Sequence, residues 1–273
     1  MGKQKIIDAR KAYYEGDIEK SKEIHSHYHN LDKHAEHHSL DKDHLKTIIF
    51  GSLDGIITIF AIVSGCVGAN ITPAQVIIIG VGNLFANAIS MGFSEYTSST
   101  AQIDFMLAER QREEWEIENC PTEEKQEMID IYINKYKFDS KDAKNLVEIT
   151  FRNKHFFLEH MMSEELGLIL TNEDKSEAFK KGILMFLSFC FFGMIPLFSY
   201  VLYNLFFSAE NYTSSFAVVF ISTLITLFIL GLFKSQFTTQ KPIVCALSMV
   251  LNGSIAGMLP FLFGVLLKTN SGD

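Results

Sequence analysis

Asp54 stands alone as an acid within an otherwise apolar stretch of the chain. An ionisable side chain at bilayer depth is expensive and is usually kept for transport, proton relay or ligand binding. One predicted membrane crossing later the charge pattern inverts. Residues 104–130 carry ten Asp/Glu against three Lys/Arg, a net charge of −7 within a chain whose total is −8. A membrane protein with its negative charge gathered in one polar insert is built to collect cations there.

The spacing of these acids narrows the chemistry. Glu109, Glu113 and Glu116 are separated by four and three residues and share one helix face. Glu124 and Glu127 are three apart on the next helix, and Met161 and Met162 lie four and three before Glu165. Like charges so placed destabilise an isolated helix, and a divalent cation relieves that cost. Carboxylates alone favour hard ions such as Mg²⁺ or Ca²⁺. Two thioethers shift the preference toward Fe²⁺, Mn²⁺, Co²⁺ or Zn²⁺. The same residues also fit a solvated acidic surface over a core that uses the two Met for packing.

These residues need a frame. Segments 182–209, 211–233 and 242–267 contain no charged residue, and 55–94 is charge-free and long enough for two crossings. The latter breaks at Gly68-Ala69-Asn70-Ile71-Thr72-Pro73, with Pro placed to open the next helix. The expected fold is therefore an all-α membrane protein with five transmembrane helices, near 47–69, 73–98, 181–207, 214–233 and 242–267. A three-helix cytosolic metal-binding insert lies between spans two and three. Its first helix, 101–118, continues span two. The second runs from Pro121 to about Tyr136. The third is capped by Asp139 or Ser140 and runs to about Leu166. Ile129, Ile133, Leu146, Phe151, Phe156 and Phe157 are its candidate core.

The organisation expected is thus 1–46 as a His-rich N-terminal segment, 47–100 as spans one and two, and 101–172 as the insert. Spans three to five occupy 173–268, with 269–273 as a tail. Lys and Arg avoid the loop between spans one and two and the loop carrying Glu210, whereas Lys234 and Lys241 flank the other short loop. This distribution puts the N-terminus, the insert and the Lys234–Lys241 loop in the cytosol, with the C-terminus opposite. The four Cys are scattered and suggest neither a disulfide framework nor a zinc site.

Asn83, Asn87, Ser90, Met91 and Ser94 form a polar stripe on the apolar second span, and Asp54 and Thr58 are four apart on the first. Such a stripe lines a path or bonds helix to helix. Gly51-x-x-x-Gly55 would let two first spans approach closely and suits a dimer seam.

The chain resembles the vacuolar iron transporter family along nearly its whole length after residue 44. The resemblance is carried by Phe50-Gly51-Ser52-Leu53-Asp54-Gly55, by Ala88-Ile89-Ser90-Met91-Gly92 with Glu95-Tyr96, and by the acidic insert helices. Met161-Met162-Ser163-Glu164-Glu165-Leu166-Gly167-Leu168 and the Pro196 region complete the ordered set. It implies a homodimer in a lipid bilayer, with a path around the paired first spans, that moves Fe²⁺ into an acidic organelle in exchange for H⁺. Carried over by position, Asp54 and Met91 belong to the path. The insert ligands are Glu113, Glu116, Glu124, Glu127, Met161, Met162 and Glu165. Plant members have a Glu where this chain has Asn83, which accepts through its carbonyl but carries no proton near neutral pH. Proton coupling then rests on Asp54, or on Glu95 near the cytosolic end of span two.

Asp54 lies about 12 Å along the helix from Lys46, at about 1.5 Å per residue, so within the hydrocarbon layer. There Fe²⁺ and H⁺ compete for the same carboxylate, which is the logic of antiport. No prosthetic group, nucleic-acid partner or enzymatic activity is expected. No nucleophile–base pair, nucleotide loop or hydrolase motif occurs. A membrane-anchored metal sensor and an uncoupled metal channel are the alternatives. The vacuole, another acidic organelle or the endoplasmic reticulum fits as location. Seven of nine His lie in the N-terminal segment (His25, His27, His29, His34, His37, His38, His44), a weak metal-binding tract or a polar tail.

Overall fold

The computed structural model describes residues 16–20, 22, 39–168, 175–207, 212–236, 238 and 240–270. All described elements are helices, and five are long and apolar enough to cross a membrane. Two units are distinguished, Met1–Thr47 and Ile48–Asp273. In the first, the Asp17 carboxylate accepts from the Lys20 amide at 2.9 Å. The His tract other than His44, and the link at 171–174, lie outside the described residues.

Helix α1 spans Ser39–Gly68. Its end follows the expected break. Asn70 takes a left-handed conformation (φ 62°), while the Ile71 amide bonds Cys66 O and the Asn70 amide bonds Val67 O, each at 3.0 Å. This pair of bonds satisfies two carbonyls that a helix end leaves open. Pro73 then opens α2, which runs unbroken over Pro73–Asn119. Its 47 residues make a rod of about 70 Å, well over the roughly 30 Å hydrocarbon core. The second span therefore continues directly into the insert, as its sequence suggests.

The remaining long helices are α6 (Lys175–Phe206), α7 (Tyr212–Ser235) and α8 (Pro242–Asn270). Ile59, Phe60, Val63 and Val67 of α1 form a buried core with Leu84 and Ala88 of α2, Phe189 and Leu197 of α6, and Val219 of α7. Large apolar side chains such as Phe191, Leu205, Phe263 and Leu266 stay exposed, as lipid-facing surfaces require. Close crossings at small residues hold the bundle. A Cβ on Gly92 would stand 2.9 Å from Gly182 O, and one on Gly182 would stand 2.8 Å from Gly92 O, so α2 and α6 meet backbone to backbone.

Gly51 and Gly55 correct an expectation. They face α6 of the same chain rather than a second copy of α1. A Cβ on Gly55 would lie 2.5 Å from Phe189 O, and one on Gly51 would lie 2.9 Å from Met185 Sδ. The seam they make closes the monomer.

The insert differs in one respect from the three helices expected. After α3 (Pro121–Asn134), the segment read as one helix to Leu166 is two, α4 (Ser140–Phe151) and α5 (Lys154–Glu164). Asp139 caps α4 as expected, accepting from the Lys141 amide at 3.0 Å. Asn153 starts a new helix because its side chain accepts from the Phe156 amide at 3.2 Å. Ile117, Met128, Tyr132, Val147, Phe157, Met161 and Met162 form the buried centre, with Ile129, Ile133, Leu146 and Phe151 packed against it. Phe156, placed in the core by its type, is instead half exposed and stacked on His160 with ring centroids 5.6 Å apart. The break after Phe151 turns it outward.

Candidate metal centre

The outer half of α2 supplies Glu109, Glu113 and Glu116, the first turns of α3 supply Glu124 and Glu127, and Glu165 follows the end of α5. Because Pro121 opens α3 immediately after α2 stops, the chain doubles back and faces α3 toward the acids of α2. The result is two overlapping groups. One carboxylate oxygen each from Glu113, Glu116 and Glu124 lies within 4.8 Å of the others, and so do oxygens from Glu124, Glu127 and Glu165. Glu124 belongs to both.

Burial makes this arrangement costly as it stands. Glu113 has no exposed surface and Glu124 has 5%. The Oε2 of each is buried without a hydrogen-bond partner among the described residues. A buried unpaired carboxylate is strongly disfavoured and moves toward its neutral form unless a cation is supplied. Burial first, then repulsion from Glu113 and Glu127, raises the Glu124 carboxyl to about 7. Glu165 is raised to about 7 by the same causes, although it retains solvent contact. Glu113 is raised by burial against the opposing pull of Arg112. Glu164 points away from this cluster. Lys135 and Tyr136 bond it and hold its carboxyl below the ordinary range.

Five expected ligands are therefore brought together: Glu113, Glu116, Glu124, Glu127 and Glu165. Met161 and Met162 are fully buried in the apolar centre of the insert, one turn before Glu165. Sequence reasoning counted Arg112 only as charge. Its guanidinium pairs with Glu109, Glu113 and Glu116 together. The signal was present in the spacing: those acids lie three before, one after and four after Arg112.

The membrane residues are arranged differently. Asp54 is half-buried on α1, and the Thr58 hydroxyl donates to its Oδ1 at 3.5 Å, the outer limit of a hydrogen bond. On α2, the Asn83 amide donates to Ile79 O and the Asn87 amide to Asn83 O, both at 2.9 Å. Met91 packs against the membrane core, and Glu95 is half-buried one turn later. Among the described residues, no group of three acids, His or Cys converges around Asp54 or Glu95.

The model of the VIT family matches residues 45–265, from the first membrane helix to the last. The chain belongs to the VIT family. It is 79% identical over 270 residues to the vacuolar iron transporter of Plasmodium falciparum (isolate 3D7), covering 99% of both chains. The vacuolar iron transporter of Toxoplasma gondii (strain ATCC 50861 / VEG) is 46% identical, over 95% of this chain and 87% of that one. Vacuolar iron transporter 1 of Arabidopsis thaliana is 30% identical, over 85% and 89%. VIT family membership thus spans the membrane helices and the insert alike.

Proposed function

We propose that this chain carries Fe²⁺ from the cytosol into an acidic organelle such as a vacuole in exchange for H⁺, with Mn²⁺, Co²⁺ and Zn²⁺ as further substrates. One observation carries the reading. Two overlapping carboxylate groups share Glu124, with unpartnered buried oxygens on Glu113 and Glu124, and their α2 members Glu113 and Glu116 sit on the same continuous helix as Asn83, Asn87, Met91 and Glu95. Ligand-poor buried acids at one end and polar residues at membrane depth at the other suit capture followed by passage. The names of the relatives, vacuolar iron transporters, support the choice of ion and compartment.

In this reading Glu113, Glu116, Glu124, Glu127 and Glu165 take the ion from the cytosol, with Met161 and Met162 beneath them as soft donors. Asp54 and Met91 pass it through the membrane. Asp54 exchanges the ion for a proton, because one carboxylate cannot hold both. Two copies of the chain enclose the path, with the N-terminus and the insert on the cytosolic side. Asn83 carries no exchangeable proton, so coupling falls on Asp54 and Glu95.

The test uses purified protein in liposomes, following Fe²⁺ entry and internal pH together under an imposed pH gradient. Uptake that accelerates with an acidic interior and alkalinises it is the expected result. Fe²⁺ flux without proton movement would make the protein an uncoupled channel. Binding with no flux would make it a membrane-anchored sensor.

A further inference from the structure

Arg112 occupies an unusual place for a base beside a cation site. Its Nε and Nη2 donate to Glu109 Oε2 at 3.1 and 3.0 Å, and its Nη1 donates to Glu116 Oε2 at 2.6 Å. Nη2 also donates to Glu113 Oε1. The arginine is about half exposed while Glu113 is fully buried, so the fork enters from solvent and takes the oxygens that face it. Glu113 Oε2 is buried with no partner among the described residues, and one oxygen apiece of Glu113, Glu116 and Glu124 lies within 4.8 Å of the others.

We propose that Arg112 is the positioning residue of this cluster: it fixes one oxygen each of Glu113 and Glu116 so that their other oxygens converge with Glu124 on a divalent cation. The proposal rests on the reading of the cluster as an ion-capture site. A planar fork with fixed donors suits this task, whereas lysine is a point charge that reaches the same acids without holding their orientation. Groups that orient metal ligands from outside commonly matter about ten- to a hundredfold in metal affinity.

The sign of the effect separates positioning from simple charge. By Coulomb attraction alone, removing a positive side chain from an acidic cluster tightens cation binding. If Arg112 orients the ligands, removing it loosens binding.

The experiment titrates the purified full-length protein with Co²⁺ alone, following heat and the visible ligand-field bands. A Glu113→Gln/Glu124→Gln double variant defines which part of the signal belongs to the insert. Arg112→Ala is expected to weaken the insert component by about ten- to a hundredfold and to shift its bands. Arg112→Lys should recover part of the affinity. Arg110→Ala, which removes the same charge two residues away, should bind as well as the parent or slightly better. If Arg112→Ala does not fold, Arg112→Gln keeps the apolar stem and carries the same expectation. Affinity equal to or tighter than the parent in Arg112→Ala or Arg112→Gln, with the parent's insert component intact, would overturn the positioning role alone. A parent protein indistinguishable from the Glu113/Glu124 double variant would overturn the capture reading, and the role of Arg112 with it.

Discussion

Glu113 and Glu124 in the insert, and Asn83 and Asn87 in the second span, are polar groups in unfavourable surroundings handled in opposite ways. The asparagines donate to carbonyls of their own helix, so α2 satisfies their amides without help. The glutamates lie among other acids, each with an oxygen that no described residue reaches. A side-chain amide in an apolar setting is satisfied by the carbonyl at i−4. A residue meant to bind something is held short of one. The insert therefore displays its ligand demand within a single chain, whereas the membrane residues gather into no comparable cluster. In the function proposed above, a second copy supplies the other wall of the path.

The comparison breaks most sharply at Asp54. Asp54→Asn should reduce proton-coupled Fe²⁺ uptake in liposomes to background while the Co²⁺ titration of the insert stays unchanged. Coupled transport in that variant would remove Asp54 from the path. In the reverse experiment, replacing Glu113, Glu116, Glu124 and Glu127 with Gln should abolish the insert's binding. Uptake should fall by roughly tenfold or more at low Fe²⁺ and recover at saturating Fe²⁺, because a charged funnel raises the local supply of ions. Unchanged uptake at low Fe²⁺ would leave the insert a structural element.

A pH series sharpens the contrast. Glu124 and Glu165 are both raised to about 7. A raised carboxyl stabilises the metal-free fold most at low pH, and the contribution fades as pH climbs through about 7. Ion binding runs the other way, since both groups must be ionised to ligate. Below pH 7 the Co²⁺ affinity of the insert should rise by up to about tenfold per pH unit for each proton displaced. A flat affinity across that range would mean that these carboxyls are already ionised.

The smallest effect separates the seam from the site. Gly55→Ala puts a methyl group against Phe189 O across the α1–α6 crossing. It should cost about 1–3 kcal/mol in thermal or denaturant stability with the dimer fraction unchanged. Dimer loss at full monomer stability would return Gly55 to an intermolecular seam.

Much of this was legible from residue types. The run from Gly68 to Pro73 spelled a helix stop and start, and Asp139 spelled a cap, because turns and caps depend on a few adjacent residues. The length of α2 followed from the lack of any breaker between the second span and Pro121. The break at Asn153 was missed because apolar periodicity continued through it, although an Asn side chain able to cap was in place. The direction of the Gly51–Gly55 seam was not legible. Small residues four apart state that a backbone can come close, not whose backbone it is. Spacing put the acids on shared helix faces and the family resemblance named the ligand set, but the sharing of Glu124 needed the fold-back at Pro121. Arg112 was overlooked because summing charge hides where a guanidinium reaches.

The unbroken α2 rod also sets the kinetics of supply. Met91 and Glu113 are 22 residues apart on one helix that has neither Gly nor Pro between Phe93 and Asn119. Their separation is therefore held near 33 Å, at about 1.5 Å per residue. No hinge in that segment brings captor and path together, so an ion must leave one and diffuse to the other. In the proposed reading the insert therefore works as a loading station at a fixed remove from the path, and not as a moving arm. Tight capture alone would then not feed the path; each ion has to be let go before it can pass.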